Sequence, residues 1–423
     1  MDDRERTLAA HSRRKGKIEI AGVAMETKEQ LSDYYTPGVA YVSLEIKKDK
    51  AKAYDYTMKA RSAAIITDGT RILGLGDVGP EAGLPVMEGK SMLLKKLGGV
   101  DALPICLATK DRDSIIAIAK ALEPEFGVMN IEDIETPKCL EIVDRLRREL
   151  SIPVFHDDRE GVAVVTLAAL TNALRLAGKR LDNVRIVVNG AGAAGIGIAQ
   201  LLSEAGAKHI IMCDTAGTIY KGRAGNMNPW KDAIAASTNE GTLKGALADA
   251  ARGADVLIGA SVEGAFTPGM ISSMAGSPIV FALANPYPEI DYKEALDAGA
   301  FIAATGRSDR PNQVNNLIAF PGIMRGLLEA RVKGLDYRIL TRAARIIARF
   351  DGKRIARDRI IPDPMDRRAI RALAPRVAAE VARAAQELGI AGSQKDPAQI
   401  EREAMDSITR YSRLERSVKR IDG

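Results

Sequence analysis

Asp157 and Asp158 lie side by side in the run from Phe155 to Ala163, Phe-His-Asp-Asp-Arg-Glu-Gly-Val-Ala. They follow a short apolar run, Ile152, Val154 and Phe155, that reads as a strand, and they precede a helical pattern reaching Ala177. Two adjacent charges of one sign repel, so one or both must be tied to a helix N-terminus, a Lys or Arg, or a divalent cation. A second acidic pair, Glu132 and Asp133, follows the apolar run Phe126 to Ile131. In a parallel sheet the strand C-termini share one edge, so four carboxylates can meet in one crevice. That donor set suits an oxygen-seeking Mg²⁺ or Mn²⁺. The same residues also fit a plainer arrangement, in which Asp157 or Asp158 caps a helix and Glu132 and Asp133 are solvated.

Two further side chains carry chemistry. Lys90 ends the run Pro85-Val86-Met87-Glu88-Gly89-Lys90, which opens a helix through Leu97. Desolvated near Tyr35 and the acidic cluster, its amine is tuned for proton transfer; otherwise it is a solvated surface group. Tyr35 stands at the turn Tyr34-Tyr35-Thr36-Pro37-Gly38-Val39, ahead of a helix-like run from Ala40 to Ile46. A tyrosine there either packs or, held near a cation, acts as a general acid.

These residues need a scaffold. Ala63 to Thr67 reads as a strand, Asp68-Gly69 as a hairpin turn and Arg71 to Leu75 as the returning strand. Two strand-helix units follow, Ala102 to Leu107 with Ser114 to Leu122, and Phe126 to Ile131 with Pro137 to Leu150. Such alternation predicts a parallel sheet covered by helices, with its ligand at the strand C-termini. Further on, the β-branched run Val184 to Val188 leads into Asn189-Gly190-Ala191-Gly192-Ala193-Ala194-Gly195 and a helix from Ile196 to Glu204. Gly190 permits the tight turn, Gly192 lets a pyrophosphate reach the backbone, and Gly195 lets helix and strand pack closely. The next strand, His209 to Cys213, ends in Asp214, the position expected to hold a ribose hydroxyl. Asp214 favours NAD, while Lys221 and Arg223 nearby can neutralise the 2′-phosphate of NADP. Strands at Ala254 to Ala260, Pro278 to Ala284 and Ala300 to Ala304 continue the alternation. The expected fold class is α/β: an N-terminal α/β domain with a parallel sheet (1–156), a Rossmann-type dinucleotide-binding domain (157–322) and a helical C-terminal segment (323–423).

The 423 residues are 46% hydrophobic and 27% charged, an ordinary globular composition. No apolar run approaches membrane-spanning length and the charged N-terminus lacks a signal-peptide core, so no membrane partner and a cytoplasmic location are expected. Cys106, Cys139 and Cys213 are far apart and form no metal-binding spacing, as buried thiols would be. The net charge of +6 is concentrated between Arg331 and Arg383, with fifteen Lys and Arg against six Asp and Glu. Those charges are spread among apolar residues at helical spacing and few aromatics interleave with them. They read as wet helix faces, and no nucleic acid is expected as a partner. Residues 1–30 read as an arm or helical lead-in able to embrace a partner subunit.

Tyr35-Thr36-Pro37-Gly38, Pro85-Val86-Met87-Glu88-Gly89-Lys90, Asn130-Ile131-Glu132-Asp133-Ile134, Phe155-His156-Asp157-Asp158, the glycine loop, Ala284-Asn285-Pro286 and Asn312-Gln313-Val314-Asn315-Asn316 occur in the order seen in malic enzymes. From about Lys15 to Gly322 the chain resembles that family. The resemblance implies oxidation of L-malate by NAD, with NADP possible, and decarboxylation to pyruvate and carbon dioxide with Mg²⁺ or Mn²⁺. It implies Glu132, Asp133 and Asp158 as metal ligands, Lys90 and Tyr35 as the proton-transfer pair, and Asp157 as their acidic neighbour. Arg71, Asn285 and Asn316 would bind substrate, Asn285 and Asn316 also lying close to the nicotinamide. Gly190, Ala191, Gly192, Ala193, Ala194, Gly195 and Asp214 would hold the dinucleotide, and the assembly would be a homodimer. The residue types suit the chemistry: a divalent ion and a base make the alkoxide accessible, and the metal then stabilises the enolate left when carbon dioxide departs. Three departures stand out, one of them the unusually Arg-rich tail beyond Arg325, which reads as exposed helices. Arg159-Glu160 replace an expected Gln-His or Ile-His, and Arg71 occupies a position often small in short bacterial members. Two other classes remain open, a metal-assisted 2-hydroxy-acid oxidoreductase that releases no carbon dioxide and a non-catalytic dinucleotide-binding regulator.

Overall fold

The computed structural model describes residues 2–14, 16–20 and 22–421. The first sheet consists of β1 (Ser62–Thr67), β2 (Asp101–Cys106), β3 (Val128–Ile131) and β4 (Val154–His156), all parallel, in the order β2-β1-β3-β4. Every residue of β1 and β3 is buried, as a parallel sheet covered on both faces requires. The helices Pro80–Leu93, Arg112–Leu122 and Lys138–Glu149 link successive strands. The last of these shows how pattern becomes packing: Cys139, Leu140, Ile142, Val143 and Leu146 form its buried stripe, while Arg147 and Arg148 occupy its last turn.

The predicted hairpin is not there. Residues 71–75 form no strand, because both edges of β1 are taken, Ala63 pairing with Ala102 on one side and Val128 on the other. The chain instead makes a tight loop in which Leu73 and Gly76 take positive φ (50° and 77°) and Ile72 donates its N–H to Gly76 O at 3.0 Å. The helix bearing Lys90 also begins earlier than its sequence suggests, with Pro80 at its start and Pro85 inside it, and it gives way after Leu93 to a π-helical turn, Leu94–Gly98.

The second sheet comprises β5 (Arg185–Asn189), β6 (His209–Asp214), β7 (Gly217–Thr218), β8 (Val256–Gly259), β9 (Ile279–Ala282) and β10 (Ile302–Thr305). Its order is β10-β9-β8-β5-β6-β7, parallel except for β7. Strand order reverses at β5, which is where doubly wound sheets open a ligand crevice. The helix Val162–Leu176 joins the two sheets; residues 163–170 are all buried, so it is covered on every face. The helices Phe320–Glu329, Tyr337–Arg349, Arg367–Glu387 and Pro397–Ile421 complete the chain. Arg342 on the second of these helices pairs with Glu380 at 2.6 Å, and Arg359, in the connection that follows it, pairs with Asp351 at 2.8 Å, whereas Arg325 on the first is buried.

Among the described residues no helix is long and apolar enough to cross a membrane. Cys139 and Cys213 are buried, Cys106 is half-buried, and all three are free thiols. The N-terminal arm is different in character. Its helices Lys28–Tyr34 and Val39–Lys48 bury no residue, and Ile20, Val23, Tyr35, Tyr41 and Leu44 are exposed.

Candidate active site

β3 and β4 are neighbours in register, Ile131 beside His156, so the residues that follow them leave the sheet at the same edge. Glu132 and Asp133 leave from β3. Asp157 and Asp158 leave from β4 into a π-helical turn, Asp157–Gly161, that precedes the helix Val162–Leu176. Gly161 is required here by space rather than dihedral angle: a Cβ at that position would lie 1.8 Å from Asp157 Oδ1. Lys90, on the helix Pro80–Leu93, places its nearly buried amine 2.8 Å from Glu132 Oε1, in a second ion pair with Asp157, and 4.3 Å from the centre of the Phe320 ring. Asn316 Nδ2 donates to Asp157 Oδ2 at 2.5 Å, and Asn130 Nδ2 to Glu132 Oε2 at 2.5 Å. The backbone N–H of Asp133 donates to Asp158 Oδ2 at 3.0 Å, which brings the two acidic pairs together. No cap is made by Asp157 or Asp158, so the plainer reading of these residues does not describe them.

Burial alone would lower the Lys90 pKa, but Asp157 and Glu132 outweigh it and hold the amine firmly protonated. Asp133, which does not touch Lys90, is pushed up to about 7 by burial and by the charge of Asp158. A carboxyl raised above its unfolded value binds more protons in the folded state, so its contribution to stability declines as pH rises from about 4 toward about 7. Protein treated with a chelator should therefore lose thermal stability across that interval, and Asp133→Asn should flatten the profile; melting curves between these pH values check it.

Two carboxylates pair with one amine and two more lie beside them, all donors are hard oxygens, and Asp157 Oδ1 is buried with no hydrogen-bond partner. The set therefore fits a divalent cation in charge and chemistry. Among the described residues, however, no three such side chains already converge as a coordination set. They are turned instead toward Lys90, Asn130, Asn316 and the Asp133 backbone, so the convergence expected from the sequence is one of neighbourhood and needs carboxylate rotation to become coordination.

The other expected residues are distributed unevenly. Arg71 is exposed, and its backbone N–H donates to Asp133 O at 3.1 Å, which anchors it beside the acidic edge. Asn285, exposed after β9, lies against Gly306, where a Cβ would come 2.7 Å from its Nδ2. Its neighbour Pro286 abuts Gly74 of the first sheet's loop, so the rims of the two sheets touch. Tyr35 is not brought to Lys90; it is 67% exposed on the N-terminal arm.

At the second sheet, Gly190 takes φ 110° and a Cβ there would strike Ala260 O at 2.2 Å. A Cβ at Gly195 would strike Gly190 O at 1.8 Å, whereas nothing lies within 4 Å of one at Gly192. Ala191 precedes this open position, and Ala193 and Ala194 begin the helix Ala193–Glu204, whose N-terminus is a natural seat for phosphate. Asp214 ends β6 but is not free. Arg223 grips both of its oxygens (2.9 and 2.5 Å), Lys231 Nζ lies at 2.7 Å, and Asn226 and the Ala216 N–H fill the remaining directions. Burial opposes ionisation, yet Arg223 and Lys231 hold its pKa down to about 2. Lys221 is exposed and takes no part in this grip. Lys231, missed in the sequence, is carried seventeen residues further on by the helix Pro229–Ser237; Asn228 as N-cap with Pro229 behind it was the available signal.

Comparison with known proteins agrees with this geometry. Residues 13–147 match the family model of the malic enzyme N-terminal domain, and residues 160–386 that of the malic enzyme NAD binding domain. A bifunctional malic/malolactic enzyme of Bacillus subtilis (strain 168) is 48% identical over 402 residues, covering 95% of this chain and 97% of the relative. An NAD-dependent malic enzyme of Geobacillus stearothermophilus is 49% identical, covering 79% of this chain and 70% of the relative. The crystal structure of malic enzyme from Pyrococcus horikoshii Ot3 superposes with a TM-score of 0.92 at 39% identity, covering 99% of this chain and 98% of that one. With both domains matched over most of its length, the chain belongs to the malic enzyme family.

Proposed function

We propose that the crevice between the two sheets oxidises L-malate with a nicotinamide dinucleotide and releases carbon dioxide and pyruvate. The observation that carries this reading is a nearly buried lysine held between Glu132 and Asp157 at the edge where four carboxylates gather. Glu132, Asp133 and Asp158 are the residues to hold Mg²⁺ or Mn²⁺, which supplies Lewis-acid polarisation of the substrate oxygen. Lys90 is the base. Its proton is retained by two carboxylates against a burial that opposes it; once Glu132 is engaged elsewhere, desolvation beside Phe320 favours loss of that proton to solvent, and the neutral Nζ left beside Asp157 can then accept the hydroxyl proton. Asn316 keeps Asp157 oriented, and Arg71 offers a fork to a substrate carboxylate. Asn285 and Asn316 border the substrate, and residues 190–195 hold the pyrophosphate. A division at 156/157 places the acidic turn between a substrate-side domain and a dinucleotide-side domain, followed by the helical segment from 323. The test is stoichiometry: purified protein with L-malate and Mn²⁺ should give equal amounts of reduced cofactor, pyruvate and carbon dioxide. Oxidation without carbon dioxide would identify the non-decarboxylating alternative, and no turnover would identify a regulator.

The chain is proposed to act as a homodimer. The exposed apolar residues of the N-terminal arm support this, since a second copy would cover them, and Tyr35 sits among them away from its own chain's Lys90. In this reading Tyr35 serves the partner's crevice, protonating the enol carbon. Tyr35→Phe and Lys90→Ala chains, each inactive alone, should recover about a quarter of wild-type turnover when mixed and allowed to exchange, because half the dimers are mixed and each has one intact site. No recovery would place the tyrosine in cis or outside the reaction.

Cofactor choice shifts from the sequence reading. A carboxylate whose acceptor directions are filled by Arg223, Lys231, Asn226 and Ala216 has little left for a ribose hydroxyl, and two cations stand ready for a 2′-phosphate. NADP is accordingly used alongside NAD. Lys231→Ala should lower kcat/KM for NADP about 10- to 100-fold while changing that for NAD far less; equal losses for both cofactors would remove Lys231 from phosphate recognition.

A further inference from the structure

Arg159 and Glu160 depart from the family pattern, and nothing in the reaction above uses them. Both are buried, Glu160 completely. Apart from the His156 backbone and each other, their partners lie on elements other than the acidic edge. Glu160 Oε2 accepts the His156 backbone N–H at 2.8 Å and lies 3.0 Å from Arg147 Nη2. Its Oε1 lies 3.2 Å from the Tyr337 hydroxyl and 3.5 Å from Arg159 Nε. Arg159 donates through Nη2 to Gln200 Oε1 at 2.8 Å and through Nη1 to Asp144 Oδ1 at 3.4 Å. The other oxygen of Asp144 accepts Trp230 Nε1–H at 2.7 Å. Tyr337 also lies 3.1 Å from Gln200 Oε1.

The elements so joined are significant. Gln200 belongs to the helix behind the glycine loop, and Trp230 is adjacent to Lys231 on the helix that grips Asp214. The packing is direct as well as polar: a Cβ at Gly197 would lie 2.5 Å from the Arg159 carbonyl oxygen and 2.7 Å from its Cγ. A guanidinium is a rigid fork, so Arg159 fixes the spacing between two acceptors on different helices in a way no flexible amine could. Arg159 and Glu160 are buried and paired, so the turn cannot slide past these helices without leaving their charges unpartnered.

We propose that Arg159 and Glu160 are positioning residues that clamp the turn carrying Asp157 and Asp158 to the two helices holding the dinucleotide, so that cofactor and divalent cation bind cooperatively. The inference rests on the functional reading above. Each ligand sets the position of an element bolted to the other's site, which is the physical requirement for coupling.

Trp230 is the single tryptophan of the chain and donates into this network, so its emission reports on it. The test uses the full-length protein and its Arg159→Gln, Arg159→Lys and Tyr337→Phe variants, titrated with NADP⁺ with and without Mn²⁺ and followed by Trp230 fluorescence. NADP⁺ should shift the emission of metal-free wild type, and Mn²⁺ should tighten NADP⁺ binding at least about fivefold. In Arg159→Gln and Arg159→Lys that ratio should fall to within about twofold of unity, and kcat about 10- to 100-fold with little change in KM for L-malate. Tyr337→Phe deletes one hydroxyl, should weaken the coupling partially, and serves if an Arg159 variant does not fold. Absence of coupling in the wild type, or its survival in the variants, would overturn the proposal, as would a lowered Tm with unchanged kcat in the folded fraction. Wild-type turnover of L-malate is the separate control: its failure rejects the functional reading, whereas normal turnover with intact coupling in Arg159→Gln rejects only this clamp.

Discussion

Lys90→Ala should lower kcat about 10²- to 10⁴-fold, the usual worth of a positioned acid-base group. The loss falls on kcat rather than on substrate affinity, because the amine exchanges a proton with the reacting hydroxyl and is not needed to hold a carboxylate. The substitution also has a structural signature. Glu132 and Asp157 are buried and share Lys90 as their counter-charge, so its removal should destabilise the metal-free protein by up to about 3–5 kcal/mol, less to the extent that the carboxyls protonate. Mn²⁺ should restore more of the melting temperature in the variant than in wild type, since it meets a cluster with one positive charge fewer. Steady-state kinetics with thermal melts, with and without Mn²⁺, separate the two effects. A rate within a few-fold of wild type would remove Lys90 from the proton path.

Asp158→Ala should be catalytically as severe and structurally mild. Losing a ligand to the divalent ion forfeits several kcal/mol of charge stabilisation in the transition state, which corresponds to at least about a 10³-fold fall in turnover. The side chain is 36% exposed, and its interactions are an Asp133 N–H at 3.0 Å and a His156 contact at 3.6 Å. Melting of the metal-free variant should therefore move by no more than about 1 kcal/mol. The contrast with Lys90→Ala is diagnostic: one variant leaves buried charges uncompensated, the other removes a charge from a crowded cluster. Assays over a Mn²⁺ series would reveal whether excess metal rescues Asp158→Ala; full activity at ordinary Mn²⁺ would exclude Asp158 as a ligand.

Much of this arrangement can be read from residue order because its determinants are local. The glycine spacing at 190–195 and the apolar runs before Glu132 and Asp157 sit beside the structures they specify. The shared edge of β3 and β4 then follows from parallel pairing alone. The hairpin at 68–75 was misread for the opposite reason. Asp68-Gly69 has good turn chemistry, but whether a strand returns depends on partners at Asp101–Cys106 and Val128–Ile131, far along the chain. Asn228-Pro229 marks the start of the helix that carries Lys231, but the pairing of Lys231 with Asp214 and the Arg159–Glu160 network were illegible on the same grounds. A lysine seventeen residues past an aspartate, or an arginine that bridges Asp144 and Gln200, has no local signature, and only the packed helices bring these groups together. Tyr35 is a third kind of case: its turn was recognisable, but its exposure on an apolar arm was not.

The central claim, that carboxylates from two adjoining strand ends hold one divalent ion beside Lys90, is most directly tested by soaking crystals of the protein with Mn²⁺ and locating the metal by anomalous scattering. The account predicts one Mn²⁺ per chain ligated by Glu132, Asp133 and Asp158 after rotation of their side chains, with no peak at that place in Asp158→Ala. A metal bound elsewhere, or an undiminished peak in the variant, would contradict it.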